Sequence, residues 1–292
     1  MKSLFFTEYK RLLRSRATFI ILIPVLIAGI AFCFTLSDKR MWLEMLEAQL
    51  SNPAPDINMT ALTNLANSYG GPKFLTRYWF VQFSDIETIV FFLWTGIFLS
   101  ADMFITRAEG CGNFMVTRIP FRKYSAAVVG AQSLYILTVV FLSSFAELVL
   151  AWCFGGFSFF YTKVGRVELN AFTFSLIFMA RVLLLSANLC AVNILAGSLE
   201  ILFPNRFVLQ AAPILIPAIM IIVCSTAGNV YIRLGRALQY FSLDSINMAI
   251  EDVLSAPSWE GWWKYLFPLM CYTLGAAFFY LLRLRKQSRE YV

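Results

Sequence analysis

The chain has no histidine among its 292 residues. That absence removes the H-E-x-x-H zinc protease motif, Ser-His intramembrane proteases, and lipid phosphatases or acyltransferases that work through a histidine base. No G-x-x-x-x-G-K-[ST] run occurs either, so nucleotide phosphates are not cradled in the P-loop manner. Any active transport must draw its energy from a partner chain or an ion gradient. Cysteine is scattered: Cys33, Cys190 and Cys271 fall inside apolar runs, Cys111 in a polar one, and Cys153 and Cys224 near run ends. With no C-x-x-C and no paired spacing, neither a metal site nor a disulfide framework is indicated, and buried thiols are the default reading. Charge is also scarce. Charged residues are 14% against 59% hydrophobic, with a mean hydropathy of +0.70, which is not the balance of a soluble globular chain.

What is present is length of apolar run. A helix needs about 20 apolar residues to cross a hydrocarbon core of roughly 30 Å. Six runs approach or exceed this: Ala17–Leu36, Thr88–Ile105, Ala126–Phe154, Phe172–Phe203, Phe207–Ala227 and Tyr265–Leu284. Backbone groups in lipid must be bonded within the segment, and no alternating pattern suggests a barrel, so these read as helices. The third and fourth runs exceed one crossing and must tilt, bend or extend past the bilayer. The first run is followed by Ser37-Asp38-Lys39-Arg40 with no small-x-small site, which favours an uncleaved span over a secretory signal.

Lys and Arg placement orients the spans. One side collects Lys2, Lys10, Arg11, Arg14, Arg16, Arg107, Arg118, Arg122, Lys123, Arg206 and the basic residues from Arg283 to Arg289. The other side holds fewer, mostly in long segments, together with Glu44, Glu47, Asp56, Asp244, Glu251, Asp252 and Glu260. Trp42, Trp79, Trp152, Trp259, Trp262 and Trp263 fall at ends on that second side, as an interfacial belt would. The expected fold is an all-α integral membrane protein with six transmembrane helices, both termini being cytoplasmic. The net charge of +7 then reflects topology and contact with anionic membrane lipid, with no nucleic acid partner implied.

Ahead of the first span, Phe5, Phe6, Tyr9, Leu12 and Leu13 fall within one third of a helical circumference, and Lys10, Arg11 and Arg14 fall opposite. This describes an N-terminal amphipathic interfacial helix that turns into the first span at Arg16. Inside the spans, Glu147 and Arg181 lie at similar depth on consecutive antiparallel runs. A lone charge there costs roughly 3 kcal/mol, so an ion pair is expected, either as a clamp between helices or as a polar lining of a path. Asn188 and Asn193 are candidates for hydrogen bonds across helices. Asp85 and Glu87 read as interfacial. Pro213 and Pro217 each remove a backbone donor from the fifth run and predict a bend.

The stretch from Asp102 to Tyr124 (DMFITRAEGCGNFMVTRIPFRKY) is polar and largely basic between two apolar runs. Arg107, Glu109-Gly110, Arg118, Pro120, Arg122-Lys123 and Tyr124 follow in that order. This resembles the segment after the second membrane helix in permease subunits of the type-2 ATP-binding-cassette (ABC) exporter family. Lys10 to Arg16 (KRLLRSR) is similar to the end of that family's amphipathic connecting helix. The resemblance implies a single transmembrane domain over 1–292. Residues 1–16 would form the connecting helix, 106–124 a cytoplasmic coupling segment that docks on an ATPase, and 37–86 and 228–263 extracytoplasmic segments. It implies coupling roles for Arg107, Glu109, Gly110, Arg118, Pro120, Arg122, Tyr124, Lys10 and Arg14. No catalytic residue and no cofactor are expected on this chain, since ATP and Mg would sit on the partner ATPase subunits. A second copy or a sibling permease would complete the complex in the cell membrane of a bacterium. The segment 228–263 carries Arg233, Arg236, Asp244, Glu251 and Asp252, more charge than a re-entrant hairpin should, so it is expected to lie on the outer surface. Two other readings fit the same layout: an ion-coupled carrier or channel using Glu147 and Arg181, and a non-transporting scaffold or sensor.

Overall fold

The computed structural model describes residues 2–21, 23, 27, 41, 44–52, 58–63, 84–102, 104–105, 120–155, 162–164, 167–169, 171–230, 241, 246, 249–250, 253–254 and 258–290. Helix dominates. α1 is Lys2–Leu13, α2 is Ser84–Thr95, and a π-helical turn Gly96–Ser100 continues α2 directly. α3 is Phe121–Gly155, α4 is Ala171–Ser198 with a 3-10 turn Leu199–Ile201, α5 is Arg206–Val230 and α6 is Trp259–Glu290.

Four of these helices contain stretches long and apolar enough to cross a membrane, at Phe121–Ala146, Ser175–Ile201, Arg206–Asn229 and Trp259–Lys286. They coincide with the third to sixth runs of the sequence, where uninterrupted apolar length leaves no competing pattern. The second run differs. Its apolar helix is the shorter Thr88–Ser100, whose last five residues form the π turn. Most of the first run lies outside the described residues, so six crossings reduce to four among those described.

One element departs from an all-helical chain. Thr162–Val164 and Val167–Leu169 pair antiparallel, with Thr162 opposite Leu169 and Val164 opposite Val167. Only Gly165 and Arg166 separate them, and β-branched residues at the inner positions suit a tight hairpin. Helix starts are chemically marked. The Asn205 Oδ1 accepts from Phe207 N at 2.9 Å, the Ser258 Oγ accepts from Gly261 N at 3.1 Å, and Pro120 sits at the entry to α3.

The main core joins Phe91, Phe92, Trp94 and Leu99 to Tyr135, Ile136, Val139 and Val140 of α3 and to Val182, Leu185, Leu189 and Val192 of α4. Ile246, Ala249, Ile250, Val253 and Leu254 also belong to it. The described residues of 228–263 thus contribute to the helical core. The Tyr272 hydroxyl donates to the Phe241 carbonyl at 2.7 Å, and the Phe241 ring meets Phe267 and Tyr272 edge-on. Tyr272 lies about 20 Å along α6 from its start, so this part of the segment packs deep against the helix. The spacing i, i+3, i+4, i+7, i+8 of those five residues makes an apolar stripe, and burying it outweighs the charges between.

A second, smaller cluster holds Leu4, Phe121, Tyr124, Ala127 and Val128, with Phe5, Val129 and Leu284 against it. It seats α1 on the start of α3 beside the end of α6. The chain breaks its helix at Arg14-Ser15 and resumes over residues 16–21, as the sequence predicts. The Ser15 Oγ donates to the Leu12 carbonyl at 2.6 Å, and the Thr18 Oγ1 lies 3.1 Å from the Leu12 and Leu13 carbonyls. The Trp94 indole donates to the Ala17 carbonyl at 3.0 Å, and Thr18 and Tyr135 share a hydrogen bond at 2.6 Å. The elbow is therefore held by α2 and α3, and α1 packs on protein along one side.

The buried stripe of α1 is Leu4, Glu8 and Leu12, with Phe5, Tyr9 and Leu13 half-buried. Phe6 is exposed. The stripe follows i, i+4, i+8, and Glu8 sits within it because Arg11 neutralises it at 2.8 Å.

Candidate functional site

The most polar part of the interior lies at the end of the bundle shared by α1, the start of α3, the end of α4 and the end of α6. It is built around the π turn. A π turn bonds i to i+5 and leaves carbonyls turned outward. Two of them are met by neighbouring helices: the Gln210 Nε2 of α5 donates to the Ile97 carbonyl at 2.8 Å, and the Gln132 Nε2 of α3 donates to the Leu99 carbonyl at 3.3 Å. The Ser100 Oγ is 2.8 Å from the Gly96 carbonyl and 2.6 Å from the Leu209 carbonyl of α5.

Glycine makes this approach fit. A Cβ at Gly96 would run into the Gln210 carbonyl oxygen of α5, and one at Gly197 would stand 3.0 Å from the Ser100 carbonyl. The second run thus meets α4 and α5 backbone to backbone. Small residues at such contacts are the usual way apolar helices approach when lipid offers no hydrophobic drive between them.

From the end of this turn a chain of polar groups crosses the bundle. Asp102 receives the Arg11 guanidinium as a fork, with Nη2 at 2.7 Å and Nη1 at 3.3 Å. The Gln132 Nε2 also reaches Asp102 at 3.5 Å, and the Asn193 Nδ2 of α4 donates to the Gln132 Oε1 at 3.3 Å. Beyond Asn193, the Arg283 of α6 pairs with Glu200 at 2.6 Å and donates to the Gly197 carbonyl at 3.4 Å. Both side chains of that pair are under 5% exposed. Burial alone would lower the Arg11 pKa, but its bonds to Asp102 and then Glu8 raise it above the ordinary value, so it stays charged.

The residues singled out from sequence distribute unevenly around this centre. Arg107, Glu109, Gly110 and Arg118 lie outside the described residues. Pro120 and Arg122 are exposed at the start of α3, and Lys10 and Arg14 are exposed on and just after α1. Tyr124 is buried beneath α1. The Glu147 side chain lies outside the described residues, while Arg181 is buried within α4 at 4% exposure. Asn193 bonds across helices, but the Asn188 Nδ2 turns back to the Leu184 carbonyl of its own helix at 3.3 Å.

Sequence reading did not pick out Glu8, Asp102, Gln132 or Glu200. Glu200 and Gln132 each interrupt an otherwise apolar run, and that alone signals a buried partner. Among the described residues no group of His, Cys, Asp and Glu is arranged to hold a metal ion. No known protein family matches this chain, and no curated protein or solved structure does so.

Proposed function

We propose that the chain is the membrane-spanning permease subunit of an ATP-driven exporter of the type-2 ABC kind. It would move a hydrophobic or amphipathic substrate such as a peptide, antibiotic or lipid out of a bacterial cell. A separate ATPase subunit would bind ATP and Mg, and a second permease copy or sibling would complete the path.

The observation that carries this reading is how α1 grips both flanks of the 106–124 segment. Asp102, just before it, is forked by Arg11, and Tyr124, at its end, packs with Leu4. A segment whose two flanks both touch the N-terminal helix would pass a push on to that helix. Force transfer requires a contact whose free energy differs between two states, and a hinged end would dissipate that difference. Lys10, Arg14, Pro120 and Arg122 are exposed and open to a partner, and Glu109 is assigned as the acidic docking residue.

Purification tests the reading. The chain should isolate with a stoichiometric nucleotide-binding subunit, and Glu109→Lys with Arg122→Glu should uncouple its ATP hydrolysis from substrate. Unchanged coupling in that double variant removes the docking assignment. Cys111 should react with a membrane-impermeant maleimide only after cells are opened. Labelling in intact cells reverses the topology and ends the exporter reading.

A further inference from the structure

Hydrogen-bond polarity is dictated along the crossing from its charged end. Asp102, ionised against Arg11, can only accept. The Gln132 amide must therefore turn its nitrogen toward Asp102, and its two hydrogens serve Asp102 and the Leu99 carbonyl. That leaves the Gln132 Oε1 facing Asn193, which must answer with its own nitrogen. The Asn193 Oδ1 is then turned away from Gln132, in a side chain only 2% exposed, with no donor among the described residues. Flipping either amide to relieve it would set oxygen against oxygen one step back.

Asn193 also lines a cavity of about 10 Å³, together with Ser100, Gln132, Ser198, Tyr280 and Arg283 among others. We propose that it is a binding site for one ordered water molecule, which joins the Arg11–Asp102–Gln132–Asn193 relay to the Arg283–Glu200 pair and so links α1 to α6. The volume matches the roughly 10–15 Å³ that one water needs, and the wall supplies the two to four polar partners. Water donates one hydrogen to the Asn193 Oδ1 and keeps a lone pair for the Arg283 or Tyr280 donors. A cation is disfavoured by the guanidinium in the wall. An anion is disfavoured because Asn193 presents oxygen and Glu200 already balances Arg283 at 2.6 Å. The site stands on these contacts alone and does not depend on the exporter reading.

Two measurements on the full chain in lipid nanodiscs test it. A density map fine enough to resolve ordered solvent should show a single peak within about 3.2 Å of the Asn193 Oδ1. The peak should be unchanged when chloride is exchanged for bromide. No peak, or one that strengthens in bromide, overturns the water assignment. For the link, Arg11→Gln and Arg283→Lys lie on different helices, α1 and α6, and separated sites ordinarily add. Their shifts in melting temperature should instead deviate from additivity by about 2 °C, and the deviation should vanish in an Asn193→Leu background. Additive shifts in the unmodified background overturn the link. Wild-type density decides the site even where a variant fails to fold.

Discussion

Arg11 and Asp102 stand 91 positions apart in the chain and meet through two hydrogen bonds. A fork of this kind uses the planar guanidinium, which an ammonium cannot reproduce. The Arg11 side chain is 47% exposed and that of Asp102 15%, so water weakens the charge term. Replacing Arg11 with Ala should cost about 1 kcal/mol, and Arg11→Lys should recover less than half. The loss should shrink at high salt, read as the gap in melting temperature between variant and parent. The pH dependence has a definite sign. A raised arginine pKa contributes stability that is complete below the unfolded value and lost only as pH rises through the folded one. Both lie above the working range, so the gap should be flat from neutral pH to pH 10. A gap that closes across that range would show that the fork is not what Arg11 contributes.

The elbow between α1 and the first run gives a second test. Thr18 shares a hydrogen with Tyr135 and also lies 3.1 Å from the Leu12 and Leu13 carbonyls at the end of α1. Thr18→Val keeps the shape and removes the hydroxyl, leaving buried groups unmatched. A loss of about 1–2 kcal/mol is expected. Tyr135→Phe should cost a similar amount, and the two together little more than either one. Full additivity in that cycle would place the effect outside the shared bond.

Length carried most of what could be read from the sequence. α3 to α6 follow from apolar runs too long to be anything else, and the Arg14-Ser15 break follows from a basic flank meeting an apolar run. The π turn was not legible, because Gly96 to Ser100 reads as ordinary apolar helix and only the approach of α5 shows why glycine stands there. The polar crossing was half legible. Asn193 was visible as an amide in an apolar run, whereas Asp102 and Gln132 were not singled out. Their roles come from three helices converging, which no single run encodes. Arg283 looked like one more flanking cation, since its partner on α4 lies far off in sequence.

Glycine substitutions should rank by what a methyl would meet. Gly96→Ala drives Cβ into the Gln210 carbonyl oxygen, which is backbone and cannot swing aside. The second run must then pull away from α5, breaking the Ser100 and Gln210 bonds with it, for a loss of about 2–4 kcal/mol. Gly130→Ala meets only the edge of the Phe5 ring at 3.3 Å, which α1 can accommodate, and Gly275→Ala meets a Leu195 methyl at an ordinary 3.5 Å. Thermal unfolding in detergent should order them Gly96 well below Gly130, and Gly130 at or below Gly275. Equal tolerance at Gly96 would mean that the two backbones are not in contact.

The Arg283–Glu200 pair separates two kinds of loss. Both side chains are buried, so removing one charge leaves the other in the interior without its counter-ion. Glu200→Gln or Arg283→Met alone should destabilise by about 3–5 kcal/mol, enough to reduce the yield of folded protein. Replacing both, Glu200→Gln with Arg283→Met, removes the stranded charge along with the attraction, and a well-packed apolar substitute is often close to neutral. The double variant should therefore be more stable than either single one. The ion pair would then hold α6 to the end of α4 by specificity of contact more than by net free energy. If the double variant is worse than both singles, the two residues act through different partners, and the pair is incidental to how α6 is seated.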